Sequence, residues 1–182
     1  MSFRGSGAFF ALRDAGRPGV MEVRRGATTG KVFETVETAK AKSAKVTRMR
    51  YRPQGKKVVL TLDDGPTDAY TSDILDLLKA EGVHAVFFML GRNVAGRGKL
   101  VKRMAAEGHE LANHSYSHSI DEGASREATK AEIERASRAV KRATGAATKW
   151  FRPPGGSLNP AMLQAAEDAG HRVVLWDIDS LD

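Results

Sequence analysis

From Val58 to Asp182, short apolar runs alternate with amphipathic helical patterns, and that rhythm leaves few folds open. The runs are Val58–Leu62, Ala85–Leu90, Glu110–Ala112, Lys149–Phe151 and Val173–Trp176. They suit strands buried on both faces of a parallel sheet. Between them the spacing predicts helices over Ser72–Ala80, Lys99–Glu107, Arg126–Ala143 and Pro160–Ala169. Thr71 or Ser72 is placed to cap the first, and Asn159 precedes a proline at the first helical position of the last. Gly82, Gly108, Gly145 and Gly170 stand where helices must stop. A βαβα series of this kind makes an α/β fold with parallel strands. A closed barrel of eight such units takes roughly 200 residues or more. Five strands in this span predict an incomplete one.

The N-terminal segment has a different character. Residues 1–57 hold 14 Lys/Arg against 4 Asp/Glu, whereas residues 58–182 hold 15 against 18. The net charge of +7 therefore belongs to the N-terminal segment. Such a segment can attract an anionic polymer. No interleaved aromatic residues support base stacking, so a solvated extension is expected and nucleic acid is not an expected partner. One helical stretch, Lys31–Val46, is expected within it. The division that follows is a basic extension at 1–56 and an α/β domain at 57–182.

Hydrophobic residues make up 41% of the chain and charged residues 28%, which suits a globular domain with a real core. No run approaches the roughly 18 apolar residues of a membrane span. The apolar run "AFFAL" is too short for a secretory signal, so none is expected. With no cysteine there are no disulfides or thiolate metal sites, and the compartment stays open.

In a parallel α/β barrel, functional groups collect at the carboxyl ends of the strands. The polar residues here fall there repeatedly. The first strand ends in Asp63-Asp64, the third runs into "NHSYSH", the fourth into "RPPGG" and the fifth into "WDIDSLD". The second offers only Gly91 and Asn93. Adjacent carboxylates repel, and a cation between them relieves the repulsion. His114 and His118, four apart, would share one side of a helical turn and suit one divalent ion. Two neutral imidazoles and one carboxylate leave a coordination position for water. Successive side chains on a strand point oppositely. One aspartate can therefore ligate while its neighbour takes the water's proton as general base. Spacing alone does not say which does which.

"TLDDGP", "HSYSH" and "RPPGG", with "VFFMLGRNV" and "EGHELANH" between them, resemble the polysaccharide deacetylases of carbohydrate esterase family 4, the NodB-homology domain. The likeness covers about Lys57 to Asp182. It implies a distorted (β/α) barrel and metal-dependent removal of N- or O-acetyl groups from chitin-like oligomers, peptidoglycan or xylan. By the resemblance, Asp63 is the general base, and Asp64, His114 and His118 are the metal ligands. Arg152 orients Asp63, the Gly155 N–H faces the oxyanion, and Asp182 contacts Arg152. Zn²⁺ is the first candidate for the ion, and Asp/His₂ ligation also accepts Co²⁺, Ni²⁺ or Mn²⁺.

The pattern also departs from the family. Gly155 stands where an aromatic residue is common, the usual Trp closing the fourth motif is missing, and so is the later His that protonates the leaving group. His84, His109 and His171 all precede strands and so lie at the other end. A barrel truncated at its C-terminus is therefore expected. The alternative reading is a catalytically impaired fragment or a non-catalytic metal- or glycan-binding remnant.

Overall fold

Five parallel strands with helices between them form the centre of the molecule, an open curl of the (β/α) barrel type. The computed structural model describes residues 8–14, 16–17, 20–25, 32–43, 45–50, 58–120 and 123–180. The parallel strands are preceded by β1 (Ala8–Asp14), β2 (Val20–Arg25), β3 (Val32–Ala39) and β4 (Lys45–Arg50). Then come β5 (Leu60–Asp63), α1 (Thr71–Ala80), β6 (Ala85–Met89), α2 (Gly91–Val94), α3 (Gly98–Ala106) and β7 (Glu110–Asn113). The chain continues through α4 (Arg126–Thr144), β8 (Trp150–Phe151), a 3₁₀ turn at Pro154–Gly156, α5 (Pro160–Asp168) and β9 (Arg172–Val174). No helix of the described residues is long and apolar enough to cross a membrane.

The main sheet runs β4-β1-β9-β8-β7-β6-β5. Its register sets Asp63 beside Phe88, Phe88 beside Ala112, and Asn113 beside Phe151. The strands thus end nearly level, and the residues just past them meet. Pleating then separates two faces. Phe87, Met89 and Leu111 point outward and pack with Leu75, Leu78, Val101, Met104 and Val140 of the helices. Phe151 and Val173 do the same with Ile133, Met162, Leu163 and Ala166. Each such fully buried large side chain contributes about 1.5–3 kcal/mol by leaving water. The alternate residues Thr61, Asp63, Phe88 and Ala112 take the inner face.

Two local expectations hold and two do not. Asn159 caps α5, its Oδ1 accepting from the Met162 N–H at 2.8 Å. Gly145 closes α4 at φ 78. The cap of α1 is Tyr70, without a side-chain bond, while Thr71 Oγ1 accepts from the Thr67 N–H at 2.8 Å. The helix expected over Lys31–Val46 is absent. Val32–Ala39 is instead β3, paired antiparallel with β2. Val32, Thr35, Val36 and Thr38 are β-branched and stiff at χ1, and a partner strand lies alongside.

The edge of β9 is also covered rather than open. β1 pairs with it antiparallel, Phe9 opposite Val174 and Phe10 opposite Val173. The far edge strand, β5, enters through exposed Val58, Val59 and Leu60.

Candidate active site

Asp63 is the last residue of β5, and Asp64 follows it at φ 68, in the left-handed region. The strand therefore ends between the two aspartates, and the alternation expected to part them does not operate. Both carboxylates face His114, whose Nε2 lies 3.9 Å from Asp63 Oδ2 and 3.6 Å from Asp64 Oδ1. Asn93 holds the turn, its Nδ2 donating to the Asp64 carbonyl at 2.7 Å.

His114 leaves β7 almost fully buried. Its Nδ1–H donates to the Arg152 carbonyl at 2.7 Å, which leaves the Nε2 lone pair aimed at the aspartates. Burial holds its pKa below the ordinary imidazole value, against the opposing pull of Asp63. The ring is thus kept neutral, as a metal ligand must be. His118 Nε2 lies 3.4 Å from Asp64 Oδ1, and the two imidazole centroids are 5.2 Å apart.

The segment from His114 to His118 is a bend, not the expected helical turn. Ser115 and His118 adopt φ of 70° and 64°. A non-glycine residue held in this region costs on the order of 1–3 kcal/mol, and such strain collects at functional sites. Here Asp64, Ser115 and His118 share it.

The surroundings hold the bend by satisfying every backbone N–H in it. His114 donates to the Met89 carbonyl at 3.0 Å and Ser115 to Asn113 Oδ1 at 2.8 Å. Tyr116 and Ser117 both donate to Glu132 Oε2, at 3.1 and 2.7 Å, and His118 donates to Ser115 Oγ at 3.0 Å. The Ser115 and Tyr116 carbonyls accept from the Gly91 and Arg92 N–H groups, each at 3.0 Å. Gly91 has no room for a side chain. A Cβ there would lie 2.6 Å from Tyr116 Cδ2 and 2.7 Å from Ala136 Cα.

Arg152, buried just past β8, serves Asp63. Its Nη1 donates to Asp63 Oδ1 at 2.7 Å and to Thr61 Oγ1 at 2.9 Å, and its guanidinium lies 4.0 Å over the Phe88 ring. Burial pushes the Asp63 pKa up, and the Arg152 charge opposes without cancelling. Burial likewise lowers Arg152, against the pull of Asp63. An arginine stays charged regardless. A carboxylate shifted toward working pH is a better proton acceptor than an ordinary one.

Gly155 lies three residues beyond Arg152 in the 3₁₀ turn, exposed, at φ 62. An added Cβ would meet nothing within 4 Å, so conformation rather than space favours glycine there. Asp182 lies outside the described residues. His84, His109 and His171 sit at the amino ends of β6, β7 and β9, away from this cluster.

Asp64, His114 and His118 each offer one ligand atom, and these atoms all lie within 4.8 Å of one another. One carboxylate and two neutral imidazoles fit a borderline divalent ion such as Zn²⁺. Thr61, Phe88 and Glu132 had not been singled out from the sequence. Period-two spacing from Asp63 points to Thr61, and the inner face of β6 points to Phe88. Nothing in the spacing points to Glu132.

A family profile described as polysaccharide deacetylase matches residues 50–174. A peptidoglycan-N-acetylglucosamine deacetylase of Bacillus cereus is 37% identical over 126 residues, covering 69% of this chain and 46% of that protein. A chitooligosaccharide deacetylase of Sinorhizobium fredii is 35% identical over 126 residues, covering 69% and 59%. The chain spans about half the length of the curated relatives it matches first, 46–58% of each. Among solved structures, a family 4 carbohydrate esterase from Streptomyces lividans, in complex with acetate, is similar at a TM-score of 0.65 and 35% identity. That match covers 68% of this chain and 64% of the esterase. The chain belongs to the polysaccharide deacetylase family, carbohydrate esterase family 4.

Proposed function

We propose that the protein hydrolyses acetyl groups from an acetylated polysaccharide, using a divalent metal ion held by Asp64, His114 and His118. The observation that carries this is the convergence of those three ligand atoms within 4.8 Å, beside a second carboxylate already engaged by Arg152. A divalent ion there supplies a polarised acetyl carbonyl and a water of lowered pKa. Asp63, held by Arg152, would be the base that accepts a proton from the attacking water. Arg152 keeps the Asp63 carboxylate turned toward His114, and Thr61 accepts from the same Nη1, fixing the guanidinium in place. The Gly155 N–H is the proposed donor to the developing oxyanion, and Asp182 the proposed second partner of Arg152. Zn²⁺ is the favoured ion. The relatives named for peptidoglycan and for chitooligosaccharide bring N-acetylglucosamine polymers forward as substrates.

The test is acetate release from an N-acetylated chito-oligomer by the zinc-loaded chain, after chelation, and after zinc is restored. Release should stop on chelation and return with zinc. Release that survives chelation, or none from a chain carrying one zinc, overturns the reading.

A further inference from the structure

The two imidazoles of the candidate metal site are held very differently. His114 is fixed from the strand side, by the Met89 and Arg152 carbonyls. His118 is 40% exposed, and its ring lies against Asp64 and edge-on to the His114 ring. Its placement relative to His114 therefore depends on the three residues between them. Two of those, Tyr116 and Ser117, give their N–H groups to one atom, Glu132 Oε2, and the Ser117 hydroxyl donates to the same oxygen at 2.8 Å. Glu132 is the charged group among the side chains that receive these backbone N–H groups, and charge-assisted bonds are roughly twice as strong as neutral ones. It stands on α4, an element that contributes no ligand. One turn along, Arg135 lies 3.6 Å over the Tyr116 ring and presses it toward Gly91. Without the carboxylate, the N–H groups of a strained bend lose their acceptor.

We propose that Glu132 is a positioning residue that sets the second imidazole for metal binding by clamping the backbone between His114 and His118. The proposal rests on the metal reading above. Preorganisation is what it supplies: the left-handed conformations are imposed before the ion arrives, so the ion does not have to impose them.

The test is zinc affinity by calorimetry, with Co²⁺ absorption as a report on ligand geometry and the melting temperature of the metal-free chain as a control. Glu132→Ala should weaken zinc about 10–100-fold, the usual effect of losing an outer partner of a ligand, and should alter the Co²⁺ spectrum. Glu132→Gln keeps an acceptor oxygen at the same reach and should restore most of the affinity and the spectrum. A role in stability alone predicts a lower melting temperature with wild-type zinc affinity and spectrum, and that result overturns the proposal. If the alanine variant does not fold, Glu132→Asp carries the test. Its shortened carboxylate cannot reach both N–H groups, so wild-type affinity in it is equally fatal. A wild-type chain that takes up no zinc sinks the metal reading and this one with it. Zinc bound normally by both wild type and Glu132→Ala sinks this one alone.

Discussion

Both ends of the parallel sheet collect histidines, yet only one end resembles a reaction centre. At the amino ends, His171 is closed on both sides. Its Nδ1–H donates to the Ala169 carbonyl at 2.7 Å, and its Nε2 meets Thr148 Oγ1 at 2.8 Å and Ser137 Oγ at 3.1 Å. His109 Nδ1 accepts from the Ala85 N–H at 3.2 Å, and its Nε2 faces Glu107 across 3.9 Å. Those rings bind the fold to itself. At the carboxyl ends, each imidazole keeps Nε2 turned toward the Asp64 carboxylate, and among the described residues the non-glycine ones at positive φ all lie here. Residue type does not separate the two regions. What separates them is whether Nε2 atoms converge on a shared carboxylate, and whether the backbone carries strain to make them so.

The largest effect expected from this contrast lies within the aspartate pair. Asp63→Asn should leave zinc occupancy near that of the wild type and lower the deacetylation rate by ~10²–10⁴, the usual contribution of a general base. Asp64→Asn should lose zinc itself, because it removes the anionic ligand. Occupancy measured by metal analysis, alongside acetate release, separates the two. Equal loss of zinc in both variants would break the division of labour.

Next in size is a direct exchange between the two ends. His118→Ala removes a proposed ligand from a half-exposed bend, so zinc binding should fall steeply with little change in the metal-free melting temperature. His171→Ala should do the reverse. It removes a buried ring together with its bonds to the Thr148 and Ser137 hydroxyls, which keep each other at 3.0 Å, so the melting temperature should fall while zinc stoichiometry stays intact. Zinc lost equally from both variants would mean that the amino end also serves the site.

How far the sequence disclosed this contrast depends on the range of the interactions involved. The five parallel strands and four main helices were readable to within a few residues, because period two and period 3.6 are local properties of the core face. The clustering of Asp64, His114 and His118 was readable through motifs at strand ends. The bend from His114 to His118 was not. Its geometry comes from Glu132, fifteen residues along from Ser117, and from the close approach of Gly91 to Tyr116 and Ala136. Spacing four apart fits a helical turn equally well. Lys31–Val46 misled for a related reason. Its Glu, Lys and Ala content suits a helix, and the deciding fact, a partner strand at Val20–Arg25, is a tertiary one. The common facing of Asp63 and Asp64 turns on a single left-handed residue that no periodicity marks.

The smallest expected effect is on pH dependence. Burial holds the pKa of His171 below its ordinary 6.5, outweighing the Ala169 carbonyl. It does the same for His109, whose charged and titratable neighbours are Glu107, His84 and Arg103. For a group whose folded pKa is depressed, the unfolded chain binds the proton more readily. The stability these two histidines contribute is therefore whole above 6.5 and is lost as pH falls through their folded values. Asp63 runs the other way. Its raised carboxyl contributes fully below 3.8 and loses that contribution as pH climbs through its folded value. The two dependences thus have opposite signs in the metal-free chain. Its melting temperature should drop between about pH 7 and pH 5 as the buried imidazoles are forced to charge. His171→Asn should start lower at neutral pH, having lost a buried hydrogen-bonding ring, yet show a shallower drop, because one of the proton-linked groups is gone. An unchanged slope in that variant would show that the amino-end histidines are not what acid attacks, and would direct attention to His114, whose pKa burial also lowers.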